Sequence, residues 1–498
     1  MTNSNAIRAI AAAVESTIGP KGLDTMLVDQ FGEVVITNDG VTILELMDVS
    51  HPAARLLIKI ARAQQAEVGD GTTTATILAG GLVAEGVNQV ARGFPVARII
   101  EGLRFGPSRA LEFLQARAQP VRGIEAAELR QVALIAGRGQ TDLADLVIEA
   151  LKFIEEEKWQ DPAFKLADTI VAREAAANEV FQGVILNKQR MNRQMPRVIN
   201  GVKVLIIDDA LAPEEFEGDA LGTETGVARY LALRDEFRKN IEKVISLGVN
   251  LVLVDRGVDD LAEEILTEAG IMVVSRVAYK ELRKTAELTG ARLIKRTGLK
   301  RKVTDFEQVL GRAERVCEDE KLEQIRILGG AGSSIATIVV GAATPEIVGE
   351  RERMARDAAS AVQSALKGGL VPGGGAIELA LARQIAQVRG EVRGMAAWGI
   401  DCLVEALKRP FAQIVSNAGF NPLEKLGDVM AAQAETGKDT LAIDCETGEV
   451  RDMQEIGVVD PALVKHYALK TAVEVAEAIL RINTIIKKRE HNPVNREI

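Results

Sequence analysis

Histidine, cysteine and aromatic residues are scarce in this chain, and an excess of positive charge is missing altogether. Three histidines, His51, His466 and His491, leave little material for a zinc cluster or a histidine-based proton relay. The three cysteines, Cys317, Cys402 and Cys445, form no CxxC pair and no even framework, the usage of a reducing compartment. Aromatics at 3% offer few platforms on which bases stack, and a formal charge of −10 opposes the basic surface that general binding to DNA or RNA draws on. No segment approaches the roughly 20 uninterrupted apolar residues that span a bilayer. Met1 to Asn5 lacks a basic region followed by an apolar stretch, so the expected location is cytoplasmic, with neither nucleic acid nor membrane as partner. GxxxxGK[ST] is absent and no GxGxxG follows a strand, which disfavours the standard mononucleotide and dinucleotide folds. Most chemistry is left to carboxylates.

With 498 residues, 47% of them apolar and 27% charged, the chain is globular and long enough for roughly three domains. Its ends read as helical. Ser50-His51-Pro52 resembles a helix start, Leu56, Leu57, Ile60 and Ala63 then recur on one face, and a further helix runs from about Val96 to Ala116. Helical patterns return over 345–366, 376–387, 395–417 and 461–486. The middle alternates instead. Short β-branched runs at Val202 to Asp208, Asn250 to Asp255 and Ile271 to Ser275 are separated by helical patterns from Tyr230 to Leu247 and Val258 to Ala269, as in an α/β domain. Helical ends around an α/β insert predict a discontinuous domain in which both ends pack together and the middle projects. Leu211 to Gly226 is acidic and glycine-rich, either an ordinary surface loop or a mobile functional element.

Gly69-Asp70-Gly71-Thr72-Thr73-Thr74 interrupts an amphipathic helical stretch and sets one carboxylate between two glycines, ahead of three hydroxyls and the apolar run Ala75 to Val83. Glycines let backbone amides approach an anion, and the next helix start supplies unpaired N–H groups and a partial positive charge. Asp70 is then a hard oxygen ligand for the magnesium that accompanies ATP. Taken alone, the loop equally describes a helix capped by Asp70 with threonines filling its first turn. Thr17-Ile18-Gly19-Pro20-Lys21-Gly22 reads as a tight turn with exposed amides or as a helix C-cap. Thr37-Asn38-Asp39-Gly40 predicts a hairpin turn between Val34–Ile36 and Val41–Ile43, with Asp39 able to point into a neighbouring site. Val371-Pro372-Gly373-Gly374-Gly375 places three glycines before another helix, where amides can contact a nucleotide. Asp357, within Glu352 to Ala358, reads as an exposed helical carboxylate.

In their order and approximate spacing, Gly19 to Gly22, Asn38 to Ile43, Gly69 to Thr74, Val371 to Gly375 and Gly457 to Pro461 resemble the chaperonins. Asp48 to Ala54, Glu67 to Thr74, Asn417 to Pro422 and Pro461 to Lys465 look most like the group II, thermosome-like branch, and the resemblance spans essentially the whole chain. It implies a multi-domain chaperonin fold. A mainly α-helical, discontinuous equatorial ATPase domain would occupy 1–117 and 368–498, and a small α/β intermediate hinge domain 118–181 and 341–367. An α/β apical domain at 182–340 would bind substrate and carry a helical protrusion, the built-in lid, at about 211–240.

Carried over position by position, the resemblance implies nucleotide contacts from Thr17, Ile18, Gly19 and Pro20, a magnesium ligand in Asp70, and phosphate binding by Gly71, Thr72, Thr73 and Thr74. Gly373 and Gly374 would line the ribose and base side, with Asp444 and Asp460 near the nucleoside. Asp357 matches the acidic residue that the hinge domain delivers to the attacking water, and Asp39 its equatorial partner. Two such carboxylates suit phosphoryl transfer, which asks the protein mainly to orient water and balance charge, and a base on a mobile domain couples hydrolysis to closure. Leu211, Phe216 and Leu221 would be exposed apolar residues of the lid.

The implied function is an ATP- and Mg2+-dependent chaperone, a double ring of identical subunits that encloses non-native polypeptides without a separate co-chaperonin. A ring scaffold without productive turnover is the alternative, against which the presence of Asp39, Asp70 and Asp357 together weighs; a stand-alone metabolic ATPase or kinase lacks a convergent small-molecule pocket. Three features depart from the family. The stretch before Gly19 is short for a thermosome arm, His491 to Ile498 is not a Gly/Met-rich tail, and Ala136-Gly137-Arg138 stands where a hydroxyl-bearing sequence is common, implying loss of its nucleotide contact. Such traits fit the divergent thermosome-like chaperonins of some bacteria.

Overall fold

Pro52 at the first turn of one helix and Gly71 just before the next divide the N-terminal apolar pattern into separate rods. They belong to the larger of two units in a computed structural model that describes residues 3–214 and 223–486. This unit gathers Met1–Ile148, Lys165–Asp168 and Arg353–Ile498, and the other holds Glu149–Phe164 and Thr169–Glu352. The first unit opens with α1 (Asn3–Glu15) and an antiparallel pair, β1 (Thr25–Val28) and β2 (Val34–Thr37). Helices α2 (Gly40–Leu46), α3 (Pro52–Glu67), α4 (Thr72–Ala91), α5 (Val96–Arg117) and α6 (Ala127–Ala136) follow, and α7 (Thr141–Leu151) leads out of it.

The expected hairpin turn at Thr37-Asn38-Asp39-Gly40 does not form. Val34–Thr37 pairs backwards with β1, and Val41–Ile43 lie within a helix. Asp39 caps that helix, accepting from the Val41 N–H at 3.2 Å and the Thr42 N–H at 3.0 Å. A short carboxylate before glycine satisfies the free N–H groups of a helix start as well as it closes a turn, and here the partner strand lies upstream.

In the second unit, after α8 (Glu156–Gln160), an eight-stranded sheet is built from β3 (Ile170–Glu174), β4 (Glu179–Leu186), β5 (Val198–Ile207), β6 (Leu251–Val254), β7 (Met272–Val274), β8 (Gly311–Asp319), β9 (Gln324–Leu328) and β10 (Ala336–Ala342). Its spatial order is β3-β10-β4-β9-β8-β5-β6-β7, with β5, β6 and β7 parallel. Side chains alternate strictly across these three strands. Val204, Ile206, Leu251, Leu253 and Met272 enter one apolar layer; Leu205, Ile207, Val252, Val254 and Val273 enter the other. Burial on both faces explains the unbroken apolar runs in the sequence. Helices α9 (Glu224–Ser246) and α10 (Asp260–Glu268) cover the second layer, α11 (Tyr279–Thr289) covers the first, and α12 (Val303–Glu307) adds Phe306 to the second.

Two expectations for the lid segment change. Helix α9 begins at Glu224 rather than near Tyr230, because Thr223 Oγ1 accepts the Gly226 N–H at 3.0 Å and caps it. Leu211 is not exposed; it is 1% accessible, bridges to Val258 and packs in the layer of Phe237 and Ile241. Phe216 and Leu221 lie outside the described residues.

The chain returns to the first unit along α13 (Pro345–Gly368), then β11 (Leu370–Pro372), α14 (Ala376–Val388), α15 (Ala397–Asn417), α16 (Pro422–Thr436), β12 (Leu441–Ile443), β13 (Val450–Asp452), β14 (Val459–Pro461) and α17 (Ala462–Leu480). The last helix stops before the predicted Ile486. Over 75–84 helix α4 is buried on all sides, its Ala75, Leu78, Ala79, Leu82 and Val83 sharing one core with Ile7 and Ile10, Leu57 and Ile60, Leu403 and Leu407, and Leu469. A helix without a polar face belongs at the centre of a core. Antiparallel pairing of β11 with β14 sets Val371 opposite Asp460, bringing the triple-glycine segment to the wall of the cavity described next.

Candidate functional site

Within the first unit, a cavity of about 660 Å³ opens where the starts of α2 and α4 meet the turn after α1. The turn is held tightly. Thr17 Oγ1 donates to Val14 O at 2.9 Å, the Gly22 N–H to Gly19 O at 3.0 Å, and Asn417 Nδ2, at the end of α15, donates to both Glu15 O and Ile18 O at 2.9 Å. Thr17, Ile18, Gly19 and Pro20 therefore form one wall. Gly71, Thr72, Thr73 and Thr74, at the start of α4, form the next, with the Thr73 hydroxyl 3.4 Å from that of Thr17. Helices α2 and α4 meet at Gly40, where a Cβ would stand only 2.6 Å from Thr73 Oγ1. The N-terminus of α4, which no side chain caps, directs N–H groups and partial positive charge at this volume, which suits an anion, whereas the Val41 and Thr42 N–H groups of α2 are taken by Asp39.

Carboxylates surround that volume. Asp39 Oδ2 accepts from the Thr42 hydroxyl at 2.6 Å as well as from the Thr42 N–H, which fixes the side chain. Asp70 Oδ1 accepts from the Gly71 N–H at 2.6 Å, and Gln64 Nε2 pins the loop by donating to Asp70 O at 2.8 Å and to Val464 O at 3.1 Å. Burial pushes the Asp70 carboxyl up to about 6; Asp460 adds to this, while the Gly71 N–H, Lys465 and Arg138 oppose it. Asp357 and Ala361, on α13, also line the cavity, so Asp357 is half-buried rather than exposed as its sequence context suggests. Gly374, Asp444 and Asp460 also line the cavity, together with the apolar Ile443, Met453 and Val458.

The description of the TCP-1/cpn60 chaperonin family matches residues 10–490. The chain belongs to that family. It is 36% identical over 504 residues to a thermosome subunit of Pyrococcus abyssi, covering 97% of this chain and 90% of the relative. A thermosome subunit of Methanopyrus kandleri is 34% identical, with 98% and 92% covered, and the alpha subunit from Thermoplasma acidophilum 33%, with 99% and 92% covered. The fold is similar, at a TM-score of 0.88 and 46% identity, to a crystal structure of a group III chaperonin in the open state, covering 97% of this chain and 98% of that one. The identity to the group III structure thus exceeds that to these thermosome subunits. The fold is the multi-domain chaperonin fold, and no helix among the described residues is long and apolar enough to cross a membrane.

Of the residues that sequence comparison with chaperonins nominates, Gly373 alone does not reach the cavity: it is buried, and its N–H is spent on Val458 O at 3.0 Å. Among the cavity residues to which the sequence assigns no role are Lys465 and Arg138. Lys465, from α17, lies 2.7 Å from Asp460 and 2.7 Å from Glu378. Burial alone would lower its pKa, but the two carboxylates outweigh burial and raise it. Arg138 sits at φ 56°, just past the end of α6, with the Gly139 N–H donating to Leu134 O and the Arg138 N–H to Ile135 O. Glycine is usual at such a left-handed helix end, where another residue costs roughly 1–2 kcal/mol. The strained backbone sets the guanidinium on the cavity wall, with Asp24 at 3.8 Å as a loose partner. Ala136 and Arg138, in the segment where the family resemblance implies loss of a nucleotide contact, line the cavity.

Among the described residues no group of three or more His, Cys, Asp or Glu side chains is assembled to hold a metal. One half-buried carboxylate beside threonine hydroxyls fits the ion that keeps several waters and binds through one or two carboxylates plus phosphate oxygens, which is magnesium. Without a cation, Asp70 binds its proton near pH 6 in the folded chain against about 3.8 when unfolded, so its contribution lowers stability as pH rises from about 4 to 6. The difference is worth up to about 3 kcal/mol. In metal-free buffer, Asp70→Asn is expected to raise the urea midpoint at pH 7.5, and the two proteins should converge near pH 4. Equal midpoints across that range would refute the burial assigned to Asp70.

Proposed function

We propose that this chaperonin binds ATP with Mg2+ in the cavity, hydrolyses it, and uses the cycle to enclose and fold non-native polypeptides as a double ring of identical subunits. The observation that carries this is the convergence of Asp39, Asp70 and Asp357, from three separate parts of the chain, on one cavity with the uncapped N-terminus of α4. Asp70 would hold the magnesium, which supplies charge neutralisation on the phosphates. The N–H groups of Thr72 to Thr74 bind phosphate oxygens, Gly71 letting them approach the backbone, and the turn from Thr17 to Pro20, Gly374, Asp444 and Asp460 surround the nucleoside, with Gly373 bracing Gly374 from behind. Asp39, fixed in place by its N–H and hydroxyl donors, orients a water, and Asp357 accepts its proton as the water attacks. Arg138 balances charge at the phosphate end.

The three-domain division belongs to the same reading, with an equatorial part at 1–117 and 368–498, a hinge at 118–181 and 341–367, and an apical part at 182–340 that carries its own lid. Purified protein should release phosphate from ATP only with a divalent cation and should raise the yield of a denatured client when ATP is present. Absence of ATP-dependent phosphate release would refute the proposal.

Self-assembly draws support from the β1–β2 pair. Met26 and Val28 are each 61% exposed, Val34 and Ile36 each 50%, and Phe31 82%, so a two-stranded ribbon, whose outer edges pair with no other strand among the described residues, presents an apolar face. Such an edge invites strand pairing with a second copy. Met26→Asp combined with Ile36→Asp is expected to shift sedimentation from ring to single-subunit mass with the far-UV spectrum unchanged; retention of the ring would remove this edge from the interface.

A further inference from the structure

Helix α13 carries Asp357, and the face it shares with that residue is otherwise built from small side chains. Ser360 and Ala361 follow one turn later and Ser364 two turns later, spacings that place all four on one side. Ala361 lines the cavity with Asp357, and Ser364 Oγ lies 3.5 Å from Val68 O. Between them, Ser360 meets the loop at Gly69. A Cβ on Gly69 would stand 2.5 Å from Ser360 Cβ and closer still to its hydroxyl, and Gly69 has φ 69°. By contrast, a Cβ on Gly137 would stand an ordinary 3.6 Å from the methyl of Ala358 on α13, its one close approach being to Ala133 O of its own helix. The tight seat of α13 is the one at Gly69, and the next residue in the chain is Asp70.

The loop that bears Asp70 and the helix that bears Asp357 therefore touch with no side chain between them other than a serine. We propose that the contact of Ser360 with Gly69 is a spacer that sets how closely Asp357 approaches the phosphate end of the cavity, which makes Ser360 a positioning residue for water attack. The inference rests on the ATPase reading above. Proton transfer needs reacting atoms within about 3–3.5 Å, and a displacement of about 1 Å can cost on the order of 100-fold in rate. A bulkier residue at 360 has nowhere to go against a glycine loop, so it lifts α13 and withdraws Asp357 while leaving the phosphate-binding amides in place.

Steady-state ATP turnover by the assembled protein tests this. Ser360→Leu is expected to lower kcat by about 10- to 100-fold with KM for ATP within about twofold, and Ser360→Ala, which keeps the spacing, to stay within about twofold of wild type in both. A purely structural role would not separate kcat from KM in this way. Unchanged kcat in Ser360→Leu overturns the proposal, as does a raised KM with kcat intact. Should Ser360→Leu fail to assemble, a second pair decides: Gly69→Ala should lose kcat, and adding Ser360→Gly, which removes the facing Cβ, should restore part of it. No recovery overturns the spacer. A wild-type protein without ATP turnover is a distinct result, which removes the ATPase reading and the spacer together.

Discussion

Replacing Asp357 by asparagine is expected to slow ATP turnover by about 100-fold or more, the usual worth of a positioned general base, while Mg2+-dependent nucleotide binding stays within a few-fold of wild type. The amide keeps the shape of the carboxylate but cannot take the proton from water. Asp357 is separated in the chain from the turn at Thr17 and from the loop at Gly71, whose backbone amides do the binding, so affinity and turnover should come apart. Phosphate release under saturating ATP, beside equilibrium binding of a labelled nucleotide, measures both. A variant that turns over at the wild-type rate would mean that Asp39 alone suffices to orient water; one that loses binding would mean that Asp357 holds the ligand rather than the proton.

The second large effect lies behind the cavity wall. Glu378, 3% exposed at its side chain, gives Oε1 to Lys465 at 2.7 Å, and its Oε2 has no hydrogen-bond partner among the described residues. Lys465→Met leaves this carboxylate buried without its cation and is expected to destabilise the unit by about 3–5 kcal/mol, read as a lowered urea midpoint and faster amide exchange in α14 and α17. Exchanging both partners, Lys465→Met with Glu378→Leu, should recover most of that loss, because an apolar pair of similar volume needs no charge balance. Asp460 still loses its ion pair in the double variant, so nucleotide affinity should remain weakened when stability has returned. A single variant that unfolds at the wild-type midpoint would contradict the burial of the triad, and a double variant with full affinity would remove Lys465 from the site.

Much of the fold was legible because burial left a period in the sequence. Helices α3 and α5 show their apolar faces at helical spacing, and the runs of β5, β6 and β7 are continuous because those strands are covered on both faces. Helix α16 was not anticipated, since it buries only Val429 and Gln433 and so carries hardly any stripe. The Asn38-Asp39-Gly40 segment was misread for a different reason. Locally it satisfies a turn and a helix start equally, and the choice was made by pairing of Val34–Thr37 with β1. The site followed the same rule. Glycine loops and Asp70 announce their chemistry within a few residues, whereas Lys465 acquires meaning only when the fold brings Glu378 and Asp460 to it. Arg138 gave a weak local signal, a cation between glycines, and only the backbone at φ 56° reveals that it faces the cavity.

A cryo-electron microscopy map of the assembled protein with Mg2+, ADP and aluminium fluoride tests the central claim most directly. Planar fluoride density is expected against the N–H groups of Thr72 to Thr74, with a metal on Asp70 and a water between Asp39 and Asp357 in line with the fluoride. Nucleotide density elsewhere, or a cavity that stays empty at saturating ligand, would contradict it.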